Sequence, residues 1–434
     1  MAAISATLPA AIHSSVSLRC DAAFNPRRVY PDVSLPRTRL VARTSRSSSV
    51  TASSPSNSGN LAAFQPPSSS SPSPSNTAPS SPPTLPEPLI PLGQSELRVS
   101  PLGIGTLQWG DPRSGFGEQY SAADLAEAFR AALAGGINLF DSAEVFARRP
   151  LSPLSPPTPP LPPLPPLPPL SPSLLPSQVY GYQSIPTGNS SEQLLGRFVA
   201  EEKARRLQEG SDSSQSPAPV AASKFFTIPW TNLLVGGGLR FGRQSLIDAL
   251  KASLQRLGME RVDLYQIHFP FPTISNATLM DGLKQAHAEG LATAVGVSNY
   301  NTQQLQEAHS LLKAASIPLA SNQVKFNLLD RGTETSGLLQ ACKDLQVSLI
   351  AYSPLASGLL TDKALTRSDK DAVRVRPLLE LMRAIGEENG GKSVSQVALN
   401  YIMCKGAIPI PGCKTAAHST SHLGSMGWRL TPEH

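Results

Sequence analysis

The stretch LIDALKASLQRLGMERVDLYQIH, residues 246–268, decides the fold when it is read beside LMDGLKQAHAEGLATAVGV, residues 279–297. Each opens with apolar residues at helical spacing (246–257, 279–289), stops at a glycine (Gly258, Gly290) and continues into a short apolar run. Glycine ends a helix readily because it takes the left-handed backbone without steric cost. The runs 262–268 and 294–297 have the length and character of buried strands. The unit recurs on both sides. Helix 122–134 meets Gly135-Gly136 before strand 137–140, and 303–314 leads to 320–324, 335–345 to 348–352 and 394–404 to 407–410. Residues 96–107 read as a small hairpin feeding a first strand that contains Gly-Ile-Gly-Thr. Helix-then-strand units with short connections imply a parallel sheet with right-handed crossovers. Their number, with no Gly-x-Gly-x-x-Gly after the first strand, favours a closed (β/α)8 barrel with an N-terminal β-hairpin. Periodicity alone leaves a doubly wound sheet open.

Upstream of Glu87 the texture is different. Residues 1–86 hold seven arginines, two acidic residues (Asp21, Asp32) and no lysine. An Arg-rich, Ser-rich, acid-poor segment has the make-up of a plastid transit peptide, expected over residues 1–52, although a plain disordered tail shares that composition. Residues 53–86 continue as a Ser/Pro/Asn linker too poor in apolar side chains to fold. The chain carries a formal charge of +6; the leader supplies seven minus two, or +5, leaving about +1 for the remainder. The basicity therefore belongs to the leader and points to no nucleic-acid surface. No run reaches the roughly eighteen apolar residues that span a bilayer. Cys20, Cys342, Cys404 and Cys413 show neither paired spacing nor a metal-ligand pattern, which fits a reducing compartment such as a stroma.

In a barrel of this kind chemistry gathers where strands end, on the C-terminal face. Those positions carry Asp141, Lys224, His268, Ser298-Asn299, Gln323 and Tyr352-Ser353. Singly each has a bland explanation: a helix cap for the aspartate, solvation for the lysine, a structural contact for the histidine. A polar group at the end of one strand after another points to a site.

These residues sit in motifs. FDSAEV (140–145), VYG (179–181), SKF (223–225), DLYQIH (263–268), GLATAVGVSNY (290–300), ASNQV (320–324), LIAYSPLASGLLT (349–361) and IPIPGCK (408–414) resemble, in order and spacing, the strand-end motifs of the aldo-keto reductases. The likeness is greatest to the plastid and potassium-channel-β-type members, and it runs from about residue 96 to 431. The resemblance implies a small carbonyl substrate, NADPH as cofactor, and a catalytic tetrad falling on Asp141, Tyr180, Lys224 and His268. It also implies nicotinamide contacts from Ser298, Asn299 and Gln323, and stacking of the ring on Tyr352. A pyrophosphate loop over 353–360 would include Ser353, Leu355 and Gly358, and Lys414 would meet the adenosine 2′-phosphate. The roles make chemical sense. Hydride addition leaves negative charge on the carbonyl oxygen, which needs a positioned proton donor. An ammonium lowers the pKa of an adjacent tyrosine, and a carboxylate holds that ammonium charged. Within the same resemblance, a catalytically weak NADP(H)-binding subunit that senses redox state is the competing reading. Pyridoxal, small aldehydes and lipid-derived carbonyls all remain open as substrates, and a chloroplast location is expected.

Four departures from the family pattern stand out. Residues 145–178 hold 14 of the 43 prolines and interrupt what would otherwise read AEV-YG; without them Tyr180 follows Asp141 by five positions. Valine codons begin GT and a glutamine codon is CAG, so Val145 and Gln178 read as the ends of a retained intron. The alternative is a polyproline II arm for an SH3-like or WW-like partner. Residues 231–239 insert a Gly-rich run, and the chain passes from LLTDK to RPLLELM sooner than the family does, shortening a cofactor-covering loop. Beyond Lys414, Ala417 and His418 stand where Glu or Gln is usual, and no C-terminal tail extends past His434.

Overall fold

The computed structural model describes residues 88–144, 190–209, 216–227, 240–270 and 274–434. The expected leader (1–52), linker (53–86) and Pro-rich insertion (145–178), together with Tyr180 and the run 231–239, lie outside the described residues.

A two-stranded antiparallel hairpin, β1 (Ile90–Pro91) and β2 (Arg98–Val99), opens the described chain. Eight parallel strands follow: β3 (Gly103–Gly105), β4 (Leu139–Asp141), β5 (Val220–Phe225), β6 (Val262–Ile267), β7 (Ala292–Ser298), β8 (Leu319–Lys325), β9 (Ser348–Tyr352) and β10 (Ile408–Pro409). Each pairs with its sequence neighbour, from β3 through to β10. A single parallel bridge, Gly105 to Gly412, brings the last strand back to the first, with the Gly105 N–H donating to the Pro411 carbonyl at 2.9 Å. This is the expected (β/α)8 barrel.

The helices are α1 (Ala122–Ala134), α2 (Ser191–Gln208), α3 (Gly242–Leu257), α4 (Asn276–Ala288), α5 (Thr302–Lys313), the single turn α6 (Gly332–Thr335), α7 (Leu338–Asp344), α8 (Lys370–Glu388), α9 (Val394–Cys404) and α10 (Ala416–Leu423). Their starts are written in the sequence. Ser121, Ser190, Asn301 and Ser393 each accept from the backbone three residues on, and the side chain there returns the bond. The one helix expected over 335–345 is instead two short ones, because Gly337 takes a left-handed backbone (φ 79°) and breaks the chain there. No described helix is long and apolar enough to cross a membrane.

Strand alternation builds two layers inside the barrel. The lower layer is apolar: Leu139, Val220, Ala222, Leu264, Ala294, Ala320, Ile350 and Ile408 are buried together with Leu92 and Val99 of the hairpin, which plugs the N-terminal end. That plug fits because Gly93 lies so close that an added Cβ would stand 2.5 Å from the Ala320 carbonyl oxygen. Outward-facing residues of the same strands (Phe140, Phe225, Tyr265, Ile267, Val295, Val297) meet the helices in the main core. Two residues past Leu139, Ala222, Leu264 and Ile350 the positions turn polar, at Asp141, Lys224, Gln266 and Tyr352, while Gln323 joins them from β8 across an irregular register with β7.

Candidate active site

At the C-terminal end of the barrel the inward side chains are Asp141, Lys224, Gln266 and Gln323, and they bond to one another. Lys224 Nζ donates to Asp141 Oδ2 at 2.5 Å and to the Ser142 carbonyl at 2.8 Å. The other oxygen, Oδ1, accepts from the amides of Gln323 at 2.9 Å and Gln266 at 3.2 Å. Asp141 is the last residue of β4 rather than the first of the following loop, so its direction is fixed by the sheet. Lys224 has no exposed surface. Burial lowers its pKa, and the carboxylates of Asp141 and then Glu192 oppose that shift. A buried charge pair of this kind needs further hydrogen bonds on both partners, and both have them.

His268 follows β6 directly, buried beside the lysine. Its N–H donates to the Phe225 carbonyl at 2.9 Å. Its ring lies edge-on to Phe226, centroids 5.5 Å apart, and stacks on Phe269 at 4.5 Å. Burial first, and the Lys224 charge second, hold its pKa well below the ordinary histidine value, so the imidazole is neutral at physiological pH. A neutral imidazole, an ammonium and flanking aromatic rings suit a polarised group carrying developing negative charge.

The next three strand ends form a second cluster. Ser298 Oγ donates to the Gln323 carbonyl at 2.7 Å; the Asn299 amide donates to Ser298 Oγ (3.1 Å) and to the His268 carbonyl (3.0 Å). The Tyr352 hydroxyl donates to Asn299 Oδ1 at 3.0 Å. Asn299 adopts φ 60° and Ser353 φ 51°, unusual for residues with a Cβ. Beyond them Ala356 (φ 47°), Ser357 (φ 54°) and Gly358 (φ 89°) turn the backbone through a short 3-10 turn, Ala356–Gly358. The backbone changes hand from Leu355 (φ −99°) to Ala356 and back from Gly358 to Leu359 (φ −70°), the alternation that curls successive N–H groups into an anion-binding nest. Leu355 packs below this turn, between the barrel core and the α8–α9 core.

Lys414 lies after β10. Its ammonium donates to the Ser114 carbonyl at 2.7 Å and sits 4.9 Å above the Tyr120 ring. His418, one helical turn on, accepts from the Lys414 N–H at 3.3 Å and has its pKa lowered by burial, then by the charges of Lys363 and Lys414. A nicotinamide dinucleotide asks for amide partners, a flat ring, a backbone cradle and a cation for any extra phosphate. The residues from Ser298 to Lys414 provide each in chemical kind, so they fit such a group.

The structure thus brings Asp141, Lys224 and His268 together, and Ser298, Asn299, Gln323 and Tyr352 beside them; Tyr180 lies outside the described residues. Gln266 was missed in the sequence, although its parity with Leu264 and His268 marks it as inward-facing. Glu144 and Arg240, buried behind Lys224, carried no such signal.

The model of the aldo/keto reductase family matches residues 101–434. The chain is similar to the chloroplastic pyridoxal reductase of Arabidopsis thaliana, 34% identical over 349 residues that cover 77% of this chain and 81% of that protein. Among solved structures, the glycerol dehydrogenase of Gluconobacter oxydans superposes with a TM-score of 0.56 at 22% identity, covering 80% of this chain and 92% of that one. A thermostable aldo-keto reductase solved with the inhibitor epalrestat does so with 0.54 at 23%, covering 80% and 96%. At those identities the two structures speak for the fold.

Proposed function

The chain belongs to the aldo/keto reductase family, and from that premise we propose that it reduces an aldehyde or ketone to an alcohol with NADPH, Tyr180 serving as the proton donor. The observation that carries this reading is the buried Asp141–Lys224 pair standing beside a neutral His268 at the barrel mouth. When bound, NADPH supplies the hydride that adds to the carbonyl carbon. The Tyr180 hydroxyl gives its proton to the carbonyl oxygen, and the Lys224 ammonium stabilises the phenolate left behind. Asp141 holds that ammonium in place, and His268 hydrogen-bonds the substrate oxygen and orients it. Ser298, Asn299 and Gln323 would hold the nicotinamide amide, with Tyr352 beside the ring, the turn from Ser353 through Leu355 to Gly358 would take the pyrophosphate, and Lys414 would take the 2′-phosphate. A charge-assisted contact from the Lys414 ammonium, which otherwise donates to the Ser114 carbonyl, would favour NADPH over NADH.

The arginine-rich leader and the chloroplastic relative together support a plastid location, which a fluorescent fusion to residues 1–52 reads directly; diffuse cytosolic fluorescence removes it. The activity is tested by incubating purified protein with NADPH and a panel of carbonyls: pyridoxal first, then small aldehydes and lipid-derived enals. Turnover that depends on the carbonyl supports the reading. Tight NADPH binding with no turnover on any of them overturns it in favour of a redox-sensing subunit.

A further inference from the structure

Behind the Asp141–Lys224 pair lies a second buried ion pair that the proposed reaction does not use. Glu144, three residues past Asp141, and Arg240, just ahead of α3, are both buried. They meet in a two-pronged contact: Arg240 Nη1 to Glu144 Oε1 at 2.5 Å and Nη2 to Oε2 at 3.0 Å. Both grip the same short piece of backbone. The Phe226 N–H donates to Glu144 Oε1 at 2.6 Å, and the Phe226 carbonyl accepts from Arg240 Nη1 at 2.9 Å. The Glu144 N–H points at the Lys224 carbonyl, 3.5 Å away.

We propose that Glu144 and Arg240 are a positioning pair, which fixes the end of β5 and through it both Lys224 and His268. The consequence for His268 runs by two routes. Its N–H donates to the Phe225 carbonyl, inside the gripped segment, and its ring abuts Phe226 edge-on. One residue on, the Thr227 hydroxyl donates to the Phe269 carbonyl at 2.9 Å, tying the ends of β5 and β6 together. The β-ladder pairs Lys224 with Gln266 and Phe225 with Ile267 and stops there, so from Phe226 onward the backbone is held by the Glu144–Arg240 grip and not by the sheet. A charged pair suits this role because a planar fork against a carboxylate fixes direction as well as distance. Hydrophobic residues of similar size pack as stably but fix neither.

The inference rests on the carbonyl-reductase reading, so its test has one arm independent of turnover. In the cofactor-free chain, hydrogen exchange is followed over residues 220–227, with β7 and β8 as internal controls. The double variant Glu144→Met/Arg240→Met removes both charges of the pair together, at the cost of two hydrogen bonds to the Phe226 backbone, and its circular dichroism spectrum and thermal melt establish that it folds. It is expected to lose protection at the end of β5 while β7 and β8 keep theirs. In the turnover arm its kcat falls by about 10- to 100-fold, the size of a slight misplacement of reacting groups, with KM for NADPH unchanged. Arg240→Lys keeps the charge but not the fork, leaves Glu144 paired, and recovers part of both losses. Wild-type exchange at 220–227 in the double variant overturns the proposal, and so does wild-type kcat in a variant that has lost that protection. If the wild-type protein turns over no carbonyl, the proposed function fails by itself, and the exchange arm still decides whether the pair holds β5.

Discussion

Replacing Asp141 by asparagine tests the electrostatic centre of the site without reference to any ligand. One carboxylate oxygen accepts from Lys224 and the other from both Gln266 and Gln323. Asparagine keeps one acceptor and turns the other into a donor. Whichever way the amide is set, an NH2 group faces either the ammonium or two glutamine amides, and Lys224 is left charged in a buried place. Breaking one side of a buried pair costs about 3–5 kcal/mol, and that loss is expected at neutral pH. The pH dependence has a definite sign. Burial lowers the Lys224 pKa below its unfolded value, so between the two values the unfolded chain binds more protons and stability rises with pH. Removing Asp141 deletes the main charge that opposes this lowering, and the window then opens from a lower pH. The variant gains more from alkalinity than the wild type does, so its deficit shrinks toward about pH 9, where more of the lysine is neutral. Urea denaturation of both proteins at neutral and alkaline pH measures the difference. Equal stability at neutral pH, or a deficit that does not change with pH, refutes the account.

Further outcomes are as specific. In a chain lacking residues 145–178, Tyr180→Phe is expected to lower kcat by roughly 10²–10⁴ while leaving NADPH affinity unchanged; steady-state kinetics with a cofactor titration checks both, and full activity sinks the tetrad assignment. Lys414→Ala is expected to weaken NADPH binding by about 1.5–3 kcal/mol and NADH binding hardly at all; an equal loss in the two titrations removes the 2′-phosphate role. Gly258→Ala meets no neighbour but holds φ 63°, a strain of about 1–2 kcal/mol. Gly196→Ala would put a Cβ 2.0 Å from the Leu257 carbonyl oxygen where α2 crosses α3, and is expected to cost about 3 kcal/mol or more. Thermal melts that rank the two variants the other way contradict the packing described.

The barrel was legible because its units carry their own punctuation, Gly258 and Gly290 above all, and because the strands alternate so regularly that Asp141, Lys224 and His268 fall on one face. The same parity would have found Gln266. What was not legible broke the local pattern. Helix α2 ends in a run of charges (EEKARR), and its buried face includes Glu192, tied to Arg256 and Ser223; a charge turned inward erases the apolar stripe by which a helix is read. Helix α8 carries Pro377 inside it, a residue that sequence reading takes as a stop. Glu144 and Arg240 are 96 positions apart, and no periodicity links them. Only the meeting of two strand-end loops does.

The closure between β3 and β10 also bears on how the chain comes off the ribosome. Three contacts span that seam: the Gly105–Pro411 bond, Trp109 Nε1 to the Cys413 carbonyl at 2.7 Å, and Lys414 to Ser114. The last two join residues 304 and 300 positions apart. None of them can form until residues 411–414 have been made. Until then β3 and the newest strand are raw edges of an open sheet, offering unpaired N–H and C=O groups to any neighbouring chain. Contacts of such long sequence separation are the ones whose closure is costly in chain entropy and slow to form. A chaperone that shields those two edges has more to protect in this protein than the finished barrel reveals.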